Sequence, residues 1–399
     1  AMDLGCTPLQ ALWKVVIPDI RPGIVSGFIM AFTMSLDDFV VSYFAGNGLH
    51  NNLSMYIYSA VGKAKGVNPA ISTIIFIPVV TLLLIVNIRS LRFEQETGIH
   101  VNYTTMTSNE EMIIKLRSSD CVYDLCFPSD YILEKLIGED LLAPLNYDNI
   151  PNAKNIGQRY YDISDAFDPG NKYSVPYMWG TVGILYNTKM VSEPVTSWKI
   201  LWDEKYAGQV LMYDSVRDSL AVALMMLGYD MNTRSEAEVA EARDALIRQK
   251  QERIVQAYGT DDIKTAMING RAAMGVVYSG DAFYAMEENA DLAFVVPEEG
   301  SNIWLDNAMI PKTSTHKEEA EKFINFLNDP EVARQNTEYI CYSTPNDAAL
   351  AIMGPEFTEN ETYNPGDDVR SRCKVFHDLG DFADVFNSAW EQVRLTKVN

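Results

Sequence analysis

Histidine, paired cysteine and basic charge are what this 399-residue chain has least of. Its four histidines (His50, His100, His316, His377) stand singly. A histidine-based metal centre therefore has little support, and no metal or cofactor is expected. The five cysteines (Cys6, Cys121, Cys126, Cys341, Cys373) are odd in number, and no two form a C-x-x-C pair. No zinc framework follows. A Cys121–Cys126 link stays open beside the simpler reading of buried free thiols. G-x-S-x-G, H-E-x-x-H and phosphate-loop motifs are missing, so an enzyme is not expected. Acidic residues outnumber basic ones 54 to 32, a net charge of −22. That balance argues against a nucleic-acid partner. It would gather cations at the surface, besides keeping the protein soluble.

The charge is unevenly placed. Residues 1–90 hold five basic groups (Lys14, Arg21, Lys63, Lys65, Arg89) and four acidic ones (Asp3, Asp19, Asp37, Asp38), a net +1. The remaining residues hold 32 − 5 = 27 basic and 54 − 4 = 50 acidic groups, a net −23. Two physically different parts are implied. The first opens without a basic leader or signal sequence and reads as the interior of something longer. It contains two apolar stretches. One runs from about residue 22 to 45 and is interrupted by Asp37-Asp38, where a re-entrant turn is the milder alternative to a buried acidic pair. The other, Ile71–Ile88, has no charged residue and is long enough to span a bilayer. Pro78 would kink it, which membrane helices tolerate. A buried core helix is the alternative. Arg89 and Arg92 place its C-terminal end on the cytoplasmic side by the positive-inside rule.

From residue 91 onward the pattern is α/β. Val101–Thr104 and Tyr123–Pro128 read as strands. Asn109–Arg117, with Asn109 as cap, and Asp130–Ile137 read as helices. Glu236–Gln249, Lys317–Leu327 and Asp378–Arg394 are amphipathic, the last with Phe382, Phe386 and Trp390 on one face. Alternating strands and helices predict a mostly parallel sheet covered on both sides.

Trp304-Leu305-Asp306 is the most informative stretch. In a strand its indole and carboxylate share a face, a surface suited to an organic cation with an apolar stem. Taken alone, the pair is more simply a core indole beside a turn-capping carboxylate. The same chemistry recurs, however, at strand ends where α/β folds place ligands. Ser129-Asp130-Tyr131 offers it, with helix capping as the plainer role. So do Tyr177 and Trp179 beside Gly180, Asp214-Ser215 with Asp218, Tyr278 with Asp281, and Tyr342. A self-contained Arg217–Asp218 pair is the plainer alternative for Asp218. A linear polyamine needs carboxylates for its ammonium groups and flat apolar walls for its methylenes.

Several motifs resemble a known family. Phe93-Glu94-Gln95-Glu96-Thr97-Gly98-Ile99, Tyr173–Gly180, Thr196-Ser197-Trp198, Ile303–Asp306, Ile310-Pro311 and Ser343–Asn346 resemble the spermidine/putrescine-binding proteins of bacterial polyamine ABC importers. The resemblance implies a two-lobed periplasmic-binding-protein-like α/β fold over residues 91–399. The first lobe would comprise about 91–178 and 305–345, the second about 179–304 and 346–399. It implies ligand contacts from Ser129, Tyr131, Asp218, Tyr278, Trp304, Asp306 and Tyr342, with Ser215 where some members carry Asp. Asp130, Trp179, Asp214 and Asp281 are further candidates from the residues themselves. Gly5 followed by Val15-Val16-Ile17-Pro18 resembles the coupling loop of ABC permeases, here within residues 1–20. Ser35–Phe39 and Gly66–Pro69 resemble the last two spans of polyamine permeases. Residues 1–90 are thus expected to be a permease fragment, with an ATPase subunit, a permease subunit and the membrane as partners. Two departures accompany the resemblance. The family's first strand and aromatic turn are absent before Leu91. The charge rule also puts the receptor on the cytoplasmic side of the last span, where the family implies the extracytoplasmic side. Another small solute (a metal ion, a phosphonate or a sugar) and a non-functional truncated fusion are the rival readings.

Overall fold

The computed structural model describes residues 92–106, 109–118 and 122–397. The expected coupling loop at 1–20, the spans near 22–45 and 71–88, and Cys6 and Cys121 lie outside them. Among the described residues no helix is long and apolar enough to cross a membrane. The chain divides into two units, residues 1–98 and 99–399. Of the first unit, a short helix α1 (Arg92–Thr97) is described. Arg92 pairs with Glu96 one turn on, at 2.7 Å. Gly98, at φ 73°, closes the helix by donating to the Glu94 carbonyl, a left-handed cap that glycine adopts without strain.

The second unit is organised by one long strand, β1 (Ser174–Asn187). It continues unbroken through Gly180. Its first half, to Thr181, pairs antiparallel with β6 (Ile303–Met309). The register slips between Pro176 and Met178, where proline has no N–H to give. From Val182 onward β1 pairs with β4 (Met274–Tyr278) and β5 (Leu292–Val295), again antiparallel. β2 (Val210–Tyr213) then joins β4 and β3 (Val255–Gly259) in parallel, giving the order β3-β2-β4-β1-β5. The sheet is therefore mixed, not mostly parallel. The antiparallel half comes from β1, which serves both lobes.

The second lobe shows why alternating apolar strands specify layers. Ile184, Val210, Met212 and Val276 point into one core with helices α4 (Val216–Leu227), α5 (Glu236–Gln251) and α10 (Ala383–Leu395). Their neighbours Leu185, Leu211 and Val277 point into the other, against α6 (Asp262–Ile268) and α7 (Ser279–Glu288). Phe386 and Trp390 of α10 are buried as their spacing predicts. In the first lobe, α2 (Asn109–Arg117), α3 (Asp130–Gly138) and α8 (Lys317–Leu327) close over Val175, Leu305 and Met309. Residues 101–106 form no strand, and of the expected strand at 123–128 a single bridge remains, Cys126 to Met309. The short helix Asp347–Leu350 packs on α9 (Pro330–Ile340) and on the turn Pro151–Asn155, elements of the first lobe's side.

Candidate functional site

Three helix starts, two of them directly after strands, converge on one cleft of ≈ 260 Å³, and each helix carries an aspartate in its first turn. A helix start concentrates unpaired N–H groups and a positive partial charge, so a carboxylate there needs no cationic side chain to hold it. Asp130 opens α3 and is fully buried. It accepts from the backbone N–H of Tyr131 at 2.7 Å and of Leu305 at 3.4 Å. Ser129 occupies the N-cap position but does not cap. Its hydroxyl donates to Asp306 Oδ1 at 2.9 Å across an antiparallel bridge. In α4, Ser215 is a true cap, accepting from Asp218 N–H at 3.3 Å. Asp218 Oδ2 in turn accepts the Tyr278 hydroxyl at 3.2 Å.

The alternation in β6 is the expected one. Ile303 and Leu305 are buried in the first-lobe core, while Trp304 and Asp306 are partly exposed to the cleft. Trp304 lies edge-to-face between two tyrosines, with ring centroids 5.9 Å from Tyr278 and 5.1 Å from Tyr342. Tyr342 is held by donating its hydroxyl to Asp281 Oδ2 at 3.2 Å. The three rings make an aromatic wall set near the carboxylates of Asp218 and Asp306.

All eight residues that the resemblance implied line this cleft, together with Asp130. Three further candidates do not. Trp179 pairs in register with Leu305 and so shares its core face, packing 5.3 Å from Tyr160 with its indole N–H on the Thr344 carbonyl. Asp214 is exposed to solvent away from the lining. Asp281 stands behind the wall, tied to Lys264 at 2.7 Å and to Tyr342. Conversely, Asn109, Arg217, Asn302 and Phe376 line the cleft without having been singled out. Asn109 was expected as a helix cap; its amide instead reaches Ser129 Oγ at 3.2 Å and the Tyr131 hydroxyl at 3.4 Å. Pairing with Asp218 was the plainer alternative for Arg217. It donates instead to the His377 carbonyl and to Asn232 Oδ1, both at 2.9 Å, and lies 4.4 Å over the Phe376 ring.

Enclosure sets the electrostatics. Burial pushes the Asp306 carboxyl up to about 6, against the opposing Ser129 hydrogen bond. Burial also raises Asp218, despite its bonds to Ser215 and Tyr278, and raises Asp130 well above the carboxylate range. Arg217 is shifted down by the same cause. An acid whose charged form is destabilised by desolvation gains most from a cation that replaces the lost water.

Two glycines permit the close approach of the wall. Gly180 pairs with Trp304, and a Cβ there would sit 2.7 Å from the indole Cζ2. A Cβ at Gly280 would overlap the Tyr342 ring. Gly280→Ala is therefore expected to push Tyr342 off Trp304 and weaken ligand binding roughly tenfold, the scale of one aromatic–cation contact. An unchanged affinity by titration calorimetry would remove Tyr342 from the wall.

Residues 91–365 match the family model of the bacterial extracellular solute-binding proteins. Residues 1–96 match that of the inner membrane component of binding-protein-dependent transport systems. The spermidine/putrescine-binding periplasmic protein of Escherichia coli is 34% identical over 305 residues, covering 76% of this chain and 86% of the relative. The putrescine-binding periplasmic protein PotF of the same organism is 28% identical, over 70% of this chain and 80% of its own length. Among solved structures, the spermidine/putrescine ABC transporter substrate-binding protein of Streptococcus pneumoniae superposes with a TM-score of 0.67. It is 38% identical, and the match covers 76% of this chain and 94% of that one. With a two-lobed α/β architecture, a cleft between the lobes and a family match over most of its length, this chain belongs to the bacterial extracellular solute-binding proteins.

Proposed function

We propose that residues 99–399 bind a linear polyamine, putrescine or spermidine, and deliver it to an ABC importer. The observation that carries this reading is one cleft holding Asp130, Asp218 and Asp306 beside the Tyr278–Trp304–Tyr342 wall. Ammonium groups would take the carboxylates through charge-assisted hydrogen bonds, and the methylenes would lie along the rings. Ser129, Ser215 and Asn109 would complete the polar contacts, and Tyr131 the opposite side. The relatives named for these ligands support the choice.

Closure would pivot where β1 changes sheets, between Thr181 and Val182, with Asp378 N–H on Glu134 Oε2 (2.8 Å) spanning the lobes. The match of residues 1–96 to a permease component supports membrane partners and a coupling loop at Gly5–Pro18, and the periplasmic relatives support a receptor on the extracytoplasmic side. Titration calorimetry of the whole chain with putrescine, spermidine and a sugar panel tests the reading. The expected result is micromolar or tighter binding of a polyamine and none of a sugar. Absence of heat with both polyamines would overturn it.

A further inference from the structure

The charge of the cleft, counted group by group, bears on ligand choice, given the polyamine reading above. Among the described residues its walls carry three carboxylates, Asp130, Asp218 and Asp306, and one guanidinium, Arg217. Burial favours the neutral form of Asp130, so two acids, Asp218 and Asp306, are left to face ammonium groups, with Arg217 opposing them. Arg217 is fixed by the His377 carbonyl, Asn232 and the Phe376 ring. It remains within the enclosure as a cation that any ligand must face. A fourth carboxylate, Asp281, lies just behind the Tyr342 wall but is already neutralised. Lys264 of α6 sits 2.7 Å from Oδ1, and the Tyr342 hydroxyl occupies Oδ2. Position 215, within hydrogen-bond reach of the Asp218 backbone, carries a hydroxyl and no charge.

We propose that this cleft takes diammonium ligands in preference to triammonium ones, and that Lys264 and Arg217 set that preference. Each ammonium drawn out of water needs a carboxylate to replace its hydration. Two can be served here. A third would lie toward Arg217 or toward the side of the wall where Lys264 has cancelled Asp281. Lys264 does not touch the ligand; it acts by withdrawing a charge.

Titration calorimetry on the whole chain tests this with putrescine, spermidine and diaminooctane. The last has spermidine's length but lacks its inner amine, so it separates charge from reach. Putrescine and diaminooctane should each bind roughly tenfold tighter than spermidine, the scale of one unscreened like-charge contact at protein dielectric. Lys264→Gln should release Asp281 and improve spermidine relative to putrescine by about the same factor. The double variant Lys264→Gln/Asp281→Asn should restore the original ratio, which a merely structural role for Lys264 would not predict. Spermidine binding as tightly as diaminooctane would overturn the charge count. A Lys264→Gln variant in which both affinities fall together, at constant ratio, would overturn the role of Lys264. If no amine binds, the polyamine reading itself fails.

Discussion

Asp306→Asn should lower putrescine affinity by about a hundredfold, equivalent to about 3 kcal/mol. Asparagine keeps the shape and can still accept from Ser129, whose hydroxyl donates to Asp306 Oδ1 at 2.9 Å. What it loses is the charge, in an enclosure that has already stripped the ammonium of water. Removing one partner of a buried, hydrogen-bonded charge pair leaves the other uncompensated, and that is the larger part of the cost. The unliganded variant should melt no lower than the parent, because burial already disfavours the Asp306 carboxylate, raising its pKa to about 6. Calorimetry and a thermal melt together separate the two effects. Affinity within a factor of two of the parent would remove Asp306 from the ligand's contacts.

The parts of this site that were legible in the sequence are those fixed by local geometry. Trp304 and Asp306 share a face because strand residues alternate, and the burial pattern of β6 follows that alternation. Asp130 and Asp218 sit in the first turns of helices, which a run of apolar residues followed by Ser and Asp makes visible. The missed residues are placed by tertiary packing. Phe376 comes from a C-terminal segment that returns to the cleft's edge, and nothing near it in sequence announces the Tyr131 ring 6.4 Å away. Arg217 beside Asp218 offered a self-sufficient pair as the plainer alternative, yet on a helix successive residues point in different directions. The guanidinium turns to Asn232 and His377 while the carboxylate turns to Tyr278. Trp179 was misassigned for a related reason. Its environment depends on which residue of β6 lies opposite, and register is not written in β1 alone. Opposite Leu305 it becomes core; one position on, Gly180 faces Trp304.

Acidity should then act on affinity and on stability in opposite directions. Asp306 has its carboxyl raised to about 6, and Asp130 and Asp218 are raised by burial as well. The ligand-binding form is the ionised one. Affinity should therefore hold above neutral pH and fall as pH drops through about 6, roughly tenfold per pH unit for each carboxylate that must lose a proton on binding. Protons would be released when the polyamine enters, so the apparent binding enthalpy at pH 6 should differ between buffers of different ionisation enthalpy. The sign for folding is the reverse. A carboxyl whose folded pKa lies above its unfolded value binds more protons in the folded state, so it costs stability above about pH 6 and ceases to do so as pH falls toward 4. For Asp306 that relief amounts to about 3 kcal/mol, from a shift of about two units above the usual 3.8. The unliganded chain should thus gain from this group over the same window in which binding is lost, and Asp306→Asn should flatten both curves. Melting curves from pH 8 to 4, with and without putrescine, read both at once. A ligand-induced rise in melting temperature that stays constant across that range would show that the cleft's carboxylates are ionised throughout, and that enclosure does not tune them.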